Sequence, residues 1–118
     1  MTEWNRQGRY CGRKDISLSR QGKIQVRNLG KMLKTIEFDR IYCSDRKRAL
    51  QTSRIIFNGR KIYKLKELRE INFGILEGLT HDEIIKKHGN IYKKWLKDCY
   101  EYNIPKAEPM IIFKKRIV

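Results

Sequence analysis

The sequence has little of what metal centres, disulfide scaffolds and membrane proteins require. It contains three cysteines without a Cys-x-x-Cys spacing, and only two histidines, which no cluster of thiols or carboxylates accompanies. No apolar run approaches the length of a membrane span, and the opening MTEWNRQGRY lacks the apolar core of a signal peptide. We therefore expect reduced thiols, no metal site, no membrane partner and a cytoplasmic location.

Acidic residues are also scarce, with 13 against 28 lysines and arginines, so the formal net charge is +15. Such an excess invites a nucleic-acid interpretation, because cations released from a phosphate backbone favour binding. However, the basic residues are spread along the whole chain, and no helix-turn-helix, zinc-finger or RNP motif is present. A nucleic-acid partner is therefore the less favoured alternative.

The spacing of apolar residues predicts one domain over residues 1–118 in which helices and strands alternate. After an opening loop over residues 2–17 we expect a helix over 20–35, a strand over 38–43 and a helix ending near 58–59. A short strand over 61–68 follows, and then three helical segments over 81–88, 91–98 and 110–118. This alternation is typical of an α/β layer fold with a mainly parallel sheet, which binds ligands at the carboxyl ends of its strands.

The first long helix is predicted to begin after Ser19, a good N-cap residue. Gly22 and Gly30 should weaken this helix, each by up to about 1 kcal/mol relative to alanine. The expected core-facing residues of this helix, with Val26 at their margin, are Ile24, Leu29, Met32 and Leu33.

The stretch Ile41–Ser53 passes directly from a strand into a helix. Ser44 and Asp45 are residues that can cap a helix, and a helix N-terminus that follows a strand favours anions. Three cations, Arg46, Lys47 and Arg48, occupy the predicted first turn, where acidic residues are more usual. Either at least one of these cations binds a phosphate group, or all three are solvated surface charges.

The stretch 68–80 carries two carboxylates, Glu70 and Glu77, in a loop after the second predicted strand. Glu70 follows the strand end closely enough to face the same crevice as Arg48. The alternative is that both glutamates are ordinary loop carboxylates, paired with Arg69 or with lysines. Thr80 with Glu83 forms a capping box that starts the next helix.

Four motifs in order resemble the histidine phosphatase (phosphoglycerate mutase-like) superfamily. The first is the opening run Thr2-Glu3-Trp4-Asn5. The second, R-x-x-G-x-x-D-x-x-L-[ST], consists of Arg9, Gly12, Asp15, Leu18 and Ser19. The third, S-x-x-x-R-A-x-Q-T, consists of Ser44, Arg48, Ala49, Gln51 and Thr52. The fourth, L-x-E-x-x-F-G-x-x-E-G, consists of Leu68, Glu70, Phe73, Gly74, Glu77 and Gly78. A later trace resembles the small α-ribazole phosphatases, and it consists of Pro105, Glu108, Phe113 and Arg116.

The resemblance implies a three-layer phosphoglycerate mutase-like fold, and hydrolysis of a small-molecule phosphate monoester through a phosphohistidine. It implies that Arg48 binds the phosphate, that Arg9 and Asn5 assist it, and that Glu70 is the catalytic general acid. No cofactor is expected, because arginines and histidines supply the electrostatic stabilisation.

The same resemblance places the nucleophilic histidine before Met1 and the second catalytic histidine beyond Val118. We therefore expect an incomplete domain without its first strand and its C-terminal strand and helices, inactive as it stands. His81 and His88 are interpreted as surface residues. The main alternative is a non-catalytic module that binds a phosphate ligand or a protein. Exposed strand edges would also favour self-association.

Overall fold

A computed structural model of the chain describes residues 1–118, which divide into two compact units. The first unit consists of Met1–Glu3 and Asp15–Arg69, and the second of Trp4–Lys14 and Glu70–Val118. A single domain over the whole chain stays a prediction. No helix of the chain is both long enough and apolar enough to cross a membrane.

The first unit contains a parallel pair of strands, β1 (Ile41–Cys43) and β2 (Ile62–Lys64). Ile41 pairs with Ile62, and the ladder is extended where Leu65 N donates to Cys43 O at 2.9 Å. The parallel sheet is confirmed, but both strands are shorter than predicted. The second ends early because the chain closes into a 3-10 helix at Lys66–Leu68.

The two faces of this sheet differ in burial. Ile41 and Cys43 are buried on one face, while Tyr42 and Tyr63 on the other are 47% and 36% exposed. The two tyrosine rings lie side by side with centroids 5.3 Å apart. Because the sheet has two strands, each strand also has an edge without a neighbouring strand.

Helix α2 (Arg20–Met32) begins as predicted, since Gly22 N donates to Ser19 Oγ at 3.0 Å. The predicted core face is wrong: Ile24 is exposed and Met32 is 76% exposed, whereas Gly22 and Val26 are buried.

The two glycines of α2 explain why a different face of this helix is buried. A Cβ on Gly22 would lie 1.9 Å from Met1 O, and a Cβ on Gly30 would lie 3.5 Å from Ile56 Cα. The backbone of other segments therefore lies close to the side of α2 that carries Gly22 and Gly30. A prediction from the spacing of hydrophobic residues does not count glycine, so it misses this side. Helix α3 (Lys47–Ile56) provides one of these contacts, and it ends slightly before the predicted stop.

The opening segment contains a short helix, α1 (Glu3–Arg6), where a loop was predicted. The turn after this helix is closed by the hydrogen bond from Arg9 N to Trp4 O at 2.8 Å. Such a single turn is too short to give an apolar period, so the sequence pattern missed it.

The core of the second unit forms around helix α4 (His81–Lys97). The capping box of Thr80 and Glu83 is confirmed, and the backbone of His88 is non-helical, so α4 consists of two helical pieces as predicted. Helix α5 (Met110–Ile117) confirms the last predicted helix. The buried core residues of this unit are Leu76, Ile84, Tyr92 and Ile104.

Candidate functional site

Arg48 lies in the first turn of α3, five residues after the end of β1. Its side chain is partly buried, and its backbone oxygen accepts a hydrogen bond from Thr52 Oγ1 at 2.8 Å. The predicted sequence of strand end, short turn and helix N-terminus is therefore confirmed within the first unit. This end of a helix favours a negatively charged ligand.

The predicted capping of α3 by Ser44 or Asp45 is wrong. The N-cap position is Arg46, whose side chain makes no capping hydrogen bond, and Ser44 Oγ accepts only from Arg46 N, at 3.1 Å. Instead, Lys47 N donates to Asp15 Oδ1 at 2.8 Å. The carboxylate of Asp15, 32 residues earlier, therefore already accepts the hydrogen bond from one backbone N–H group at the N-terminus of α3.

Asp45 has a different role, because it forms an ion pair with Arg69. Arg69 Nε donates to Asp45 Oδ1 at 2.6 Å, and its Nη2 donates to Asp45 Oδ2. These hydrogen bonds from Arg69 lower the pKa of Asp45 to about 2. The alternative in which Arg69 pairs with Glu70 or Glu77 is therefore wrong.

Arg9, in the second unit, is held by structural contacts. Its Nη1 donates to Gly78 O at 2.6 Å and to Glu83 Oε2 at 2.8 Å, and its Nε donates to Gln7 Oε1 at 2.8 Å. The backbone N–H of Thr80 lowers the pKa of Glu83 most, and Arg9 lowers it further. Arg9 thus joins the opening segment to the N-terminus of α4, a role that the sequence did not indicate.

Asn5 and Glu70 are both exposed residues of the second unit. Asn5 lies in α1, and its backbone oxygen accepts from Gly8 N at 3.1 Å. Glu70 Oε1 accepts from Ile71 N at 2.8 Å, which fixes the carboxylate against its own main chain. Asn5, Arg9 and Glu70 therefore belong to one unit, and Arg48 to the other.

Glu77 is a structural residue. Its carboxylate accepts from three backbone N–H groups: Arg13 N at 2.7 Å, Lys14 N at 3.0 Å and Phe73 N at 3.2 Å. A carboxylate with this many backbone donors ties two loops together. Glu77 is therefore a loop carboxylate, as the alternative to a catalytic role supposes, and its hydrogen bonds come from backbone N–H groups.

An ionic cluster around Glu108 in the second unit is not indicated by any sequence pattern. Glu108 accepts from Arg116 Nε at 2.6 Å and from Arg13 Nη2 at 3.3 Å, and its side chain is only 10% exposed. The hydrogen bonds from Arg116, followed by those from Arg13, lower the pKa of Glu108 to about 2. In the sequence, Glu108 and Arg116 stand out only as parts of a family-like trace, because their pairing with the distant Arg13 produces no local pattern.

The histidines and cysteines take part in no metal cluster. The ring of His81 stands edge-on to Tyr92 with centroids 5.7 Å apart, and His88 lies partly exposed at the kink of α4. The three cysteines form no disulfide, and no group of three potential ligands is positioned to hold a metal ion.

Comparison with protein families identifies the class. The model of the histidine phosphatase superfamily (branch 1) matches residues 1–118, so the chain belongs to this family. Among curated relatives, phosphoserine phosphatase 1 of Hydrogenobacter thermophilus is 30% identical over 118 residues, which are 98% of this chain and 56% of that protein. The adenosylcobalamin/alpha-ribazole phosphatase of Escherichia coli is 29% identical, with 98% and 58% covered.

Solved structures show the same α/β fold. The alpha-ribazole phosphatase from Shigella flexneri superimposes with a TM-score of 0.88 at 28% identity, covering 98% of this chain and 58% of that one. Bacillus stearothermophilus YhfR superimposes with a TM-score of 0.84 at 34% identity and the same coverage. The phosphoglycerate mutase-like class is thereby confirmed, and the chain spans about 58% of the length of such relatives.

Proposed function

We propose that this chain supplies the phosphate-binding arginine and the acid-base carboxylate of a phosphoric monoester hydrolase. The observation that carries the proposal is the position of Arg48 in the first turn of α3, directly after the parallel strand β1. Ligands of open α/β folds bind at the carboxyl ends of such strands. A guanidinium at a helix N-terminus offers a phosphate two parallel hydrogen bonds and a favourable helix dipole.

The other roles follow from membership of the family. In the whole hydrolase, the family's nucleophilic histidine accepts the phosphoryl group while Glu70 donates a proton to the leaving oxygen. Glu70 then accepts a proton from the water that hydrolyses the phosphohistidine. Arg9 and Asn5 assist the binding of phosphate. Because Arg9 Nε and Nη1 are bound to protein oxygens, its Nη2 is the group left for a phosphate oxygen.

Neither histidine of the chain suits the nucleophile. His81 opens α4 with its ring against Tyr92, and His88 lies at a kink among lysines. We therefore propose that the 118 residues alone bind a phosphate monoester without turning it over. The substrate class is a small phosphate monoester, as the names of the phosphoserine and alpha-ribazole phosphatases suggest.

The binding of inorganic phosphate tests the proposal. Titration of labelled protein with phosphate at constant ionic strength, followed by NMR, should shift the amide signals of Lys47 and Arg48. Arg48→Ala should weaken binding about tenfold or more, the effect of losing a hydrogen bond to a charged group. Arg54→Ala is the matched control, because Arg54 is an exposed arginine in the last turn of the same helix.

Equal weakening by both substitutions would mean that the net charge, and not a phosphate pocket, attracts the anion. An assay with p-nitrophenyl phosphate should show no turnover above background. Turnover that Arg48→Ala abolishes would contradict the proposed inactivity. Tight, salt-sensitive binding of duplex DNA that Arg48→Ala does not affect would favour a nucleic-acid partner instead.

A further inference from the structure

The main chain at Glu70 is held in place by residues much later in the sequence. Arg116 Nη2 donates to Glu70 O at 3.2 Å, and Glu108 N donates to Asn72 O at 2.9 Å. Between these two contacts, the side chain of Ile71 is buried. The loop residues 70–72 are therefore anchored at both ends and in the middle.

One peptide group in this loop connects Arg116 with the carboxylate of Glu70. The oxygen of the peptide between Glu70 and Ile71 accepts from Arg116, while the N–H of the same peptide donates to Glu70 Oε1 at 2.8 Å. A peptide group is planar and rigid, so a partner that fixes its C=O also fixes the direction of its N–H. A charged donor on the oxygen also polarises the group, which strengthens the hydrogen bond from the N–H.

Arg116 is itself held by Glu108. Its Nε and Nη2 donate to the two carboxylate oxygens of Glu108 at 2.6 Å and 2.9 Å, and its guanidinium lies 4.7 Å from the ring centroid of Phe113. Because Arg116 and Arg13 lower the pKa of Glu108 to about 2, this carboxylate stays ionised near neutral pH. The guanidinium therefore has one preferred orientation, with Nη2 directed at Glu70 O.

We propose that Arg116 and Glu108 are positioning residues for Glu70, which orient its carboxylate through the peptide group between Glu70 and Ile71. The inference rests on the proposed function, in which Glu70 is the general acid. Glu108 aligns Arg116, Arg116 fixes the peptide, and the N–H of Ile71 fixes the carboxylate oxygen. The residue that performs the chemistry is thus oriented by two residues much later in the chain, and Arg116, which makes the contact, lies 46 positions after Glu70.

The amide proton of Ile71 reports on this arrangement without any need for catalysis. We would measure its chemical shift and its hydrogen exchange in the full chain, in Arg116→Lys and in Glu108→Gln. Lysine keeps the positive charge beside Glu108 but cannot donate to two carboxylate oxygens and to Glu70 O in the same fork geometry. Lys115→Ala is the matched control, since Lys115 is an exposed neighbour on the same helix.

Both cluster variants should accelerate exchange of the Ile71 amide about tenfold, the effect of losing a charged hydrogen-bond donor, and should shift its signal upfield. Lys115→Ala should change the exchange rate less than about twofold. Thermal unfolding of each variant shows how much of the change is global. An Ile71 amide that keeps its shift and protection in both cluster variants, while the melting temperature falls, would overturn the proposal and leave the cluster a purely structural role.

This result is separable from that of the proposed function. Phosphate binding that does not depend on Arg48 would refute the proposed function, but it would not alter the response of the Ile71 amide to Arg116→Lys. Conversely, an unresponsive Ile71 amide would remove the positioning role without affecting phosphate binding at Arg48.

Discussion

Arg69 binds both carboxylate oxygens of Asp45, with its Nε 2.6 Å from Asp45 Oδ1. The hydrogen bonds from Arg69 lower the pKa of Asp45 from 3.8 to about 2. This pair therefore contributes stability that is fully present above pH 3.8 and is lost as the pH falls through about 2. Asp45→Asn should lower the free energy of unfolding at pH 7 by up to about 1 kcal/mol, with less effect at pH 2. Urea unfolding at the two pH values measures this, with the exposed Asp39→Asn as control; equal losses at both pH values would contradict it.

Glu108 should be the most stabilising carboxylate of the second unit. Its pKa is lowered to about 2 by Arg116 and Arg13, so its contribution is present above its ordinary pKa of 4.5 and is lost on acidification. Glu108→Gln leaves two arginines without their anion and should cost about 3 kcal/mol at pH 7, as in other broken buried ion pairs. Urea unfolding of Glu108→Gln is compared with that of Glu101→Gln, a substitution at an exposed glutamate. Similar decreases in the free energy of unfolding would show that the ionic cluster does not stabilise the protein.

Gly74 and Gly8 form a matched pair of glycines with φ of 55° and 66°. At either position alanine should cost about 1–2 kcal/mol for the left-handed conformation. A Cβ on Gly74 would also lie 2.2 Å from Pro105 O, whereas nothing lies within 4 Å of one on Gly8. Gly74→Ala should therefore cost a further 1–3 kcal/mol through overpacking. Thermal unfolding of the two variants separates the cost of backbone strain, which both share, from the cost of the clash with Pro105 O, which only Gly74→Ala has. Equal melting temperatures would contradict the additional cost at Gly74.

The N-cap of α4 should need a side-chain oxygen that can accept a hydrogen bond from Glu83 N. Thr80 Oγ1 accepts from Glu83 N, and Glu83 Oε2 accepts from Thr80 N and from Arg9. Thr80→Ala should lower the free energy of unfolding by about 1 kcal/mol, while Thr80→Ser should change it by about half of that or less. Chemical denaturation checks the order, and a serine variant as unstable as the alanine variant would contradict it.

The exposed sheet face of the first unit predicts self-association. Tyr42 and Tyr63 stand on one face of a two-stranded sheet whose edges have no neighbouring strand. Such edges and apolar faces promote pairing between chains, and inward charges oppose it. Sedimentation velocity should show association that rises with concentration and is reduced by Tyr63→Lys. Tyr100→Lys, at an exposed tyrosine of the second unit, should have no such effect. A monomer at all concentrations would refute the prediction.

The features that the sequence predicted correctly are those encoded by neighbouring residues. Ser19 and the Thr80–Glu83 box depend on contacts three residues apart, and the alternation of strands and helices follows local periods. The face of α2 was mispredicted because glycines at Gly22 and Gly30, and not large apolar side chains, make its closest contacts.

In the candidate site, too, local features could be predicted from the sequence and long-range contacts could not. Arg48 in a first turn after a strand followed from the pattern. The carboxylate at that helix end could not be inferred, because Asp15 lies 32 residues before the amide that it binds. The contact of Arg116 with Glu70 O likewise joins residues 46 positions apart, and only the fold brings them together.

The division of the chain into two units has a consequence for its synthesis. Residues 1–3 belong to the first unit, but residues 4–14 belong to the second, whose remaining part begins at Glu70. A ribosome releases the N-terminus first, so the amides of Arg13 and Lys14 emerge long before Glu77, their acceptor. The basic opening segment therefore remains unpacked while the first unit is synthesised, and the second unit can fold only after residues 70–118 have left the ribosomal tunnel.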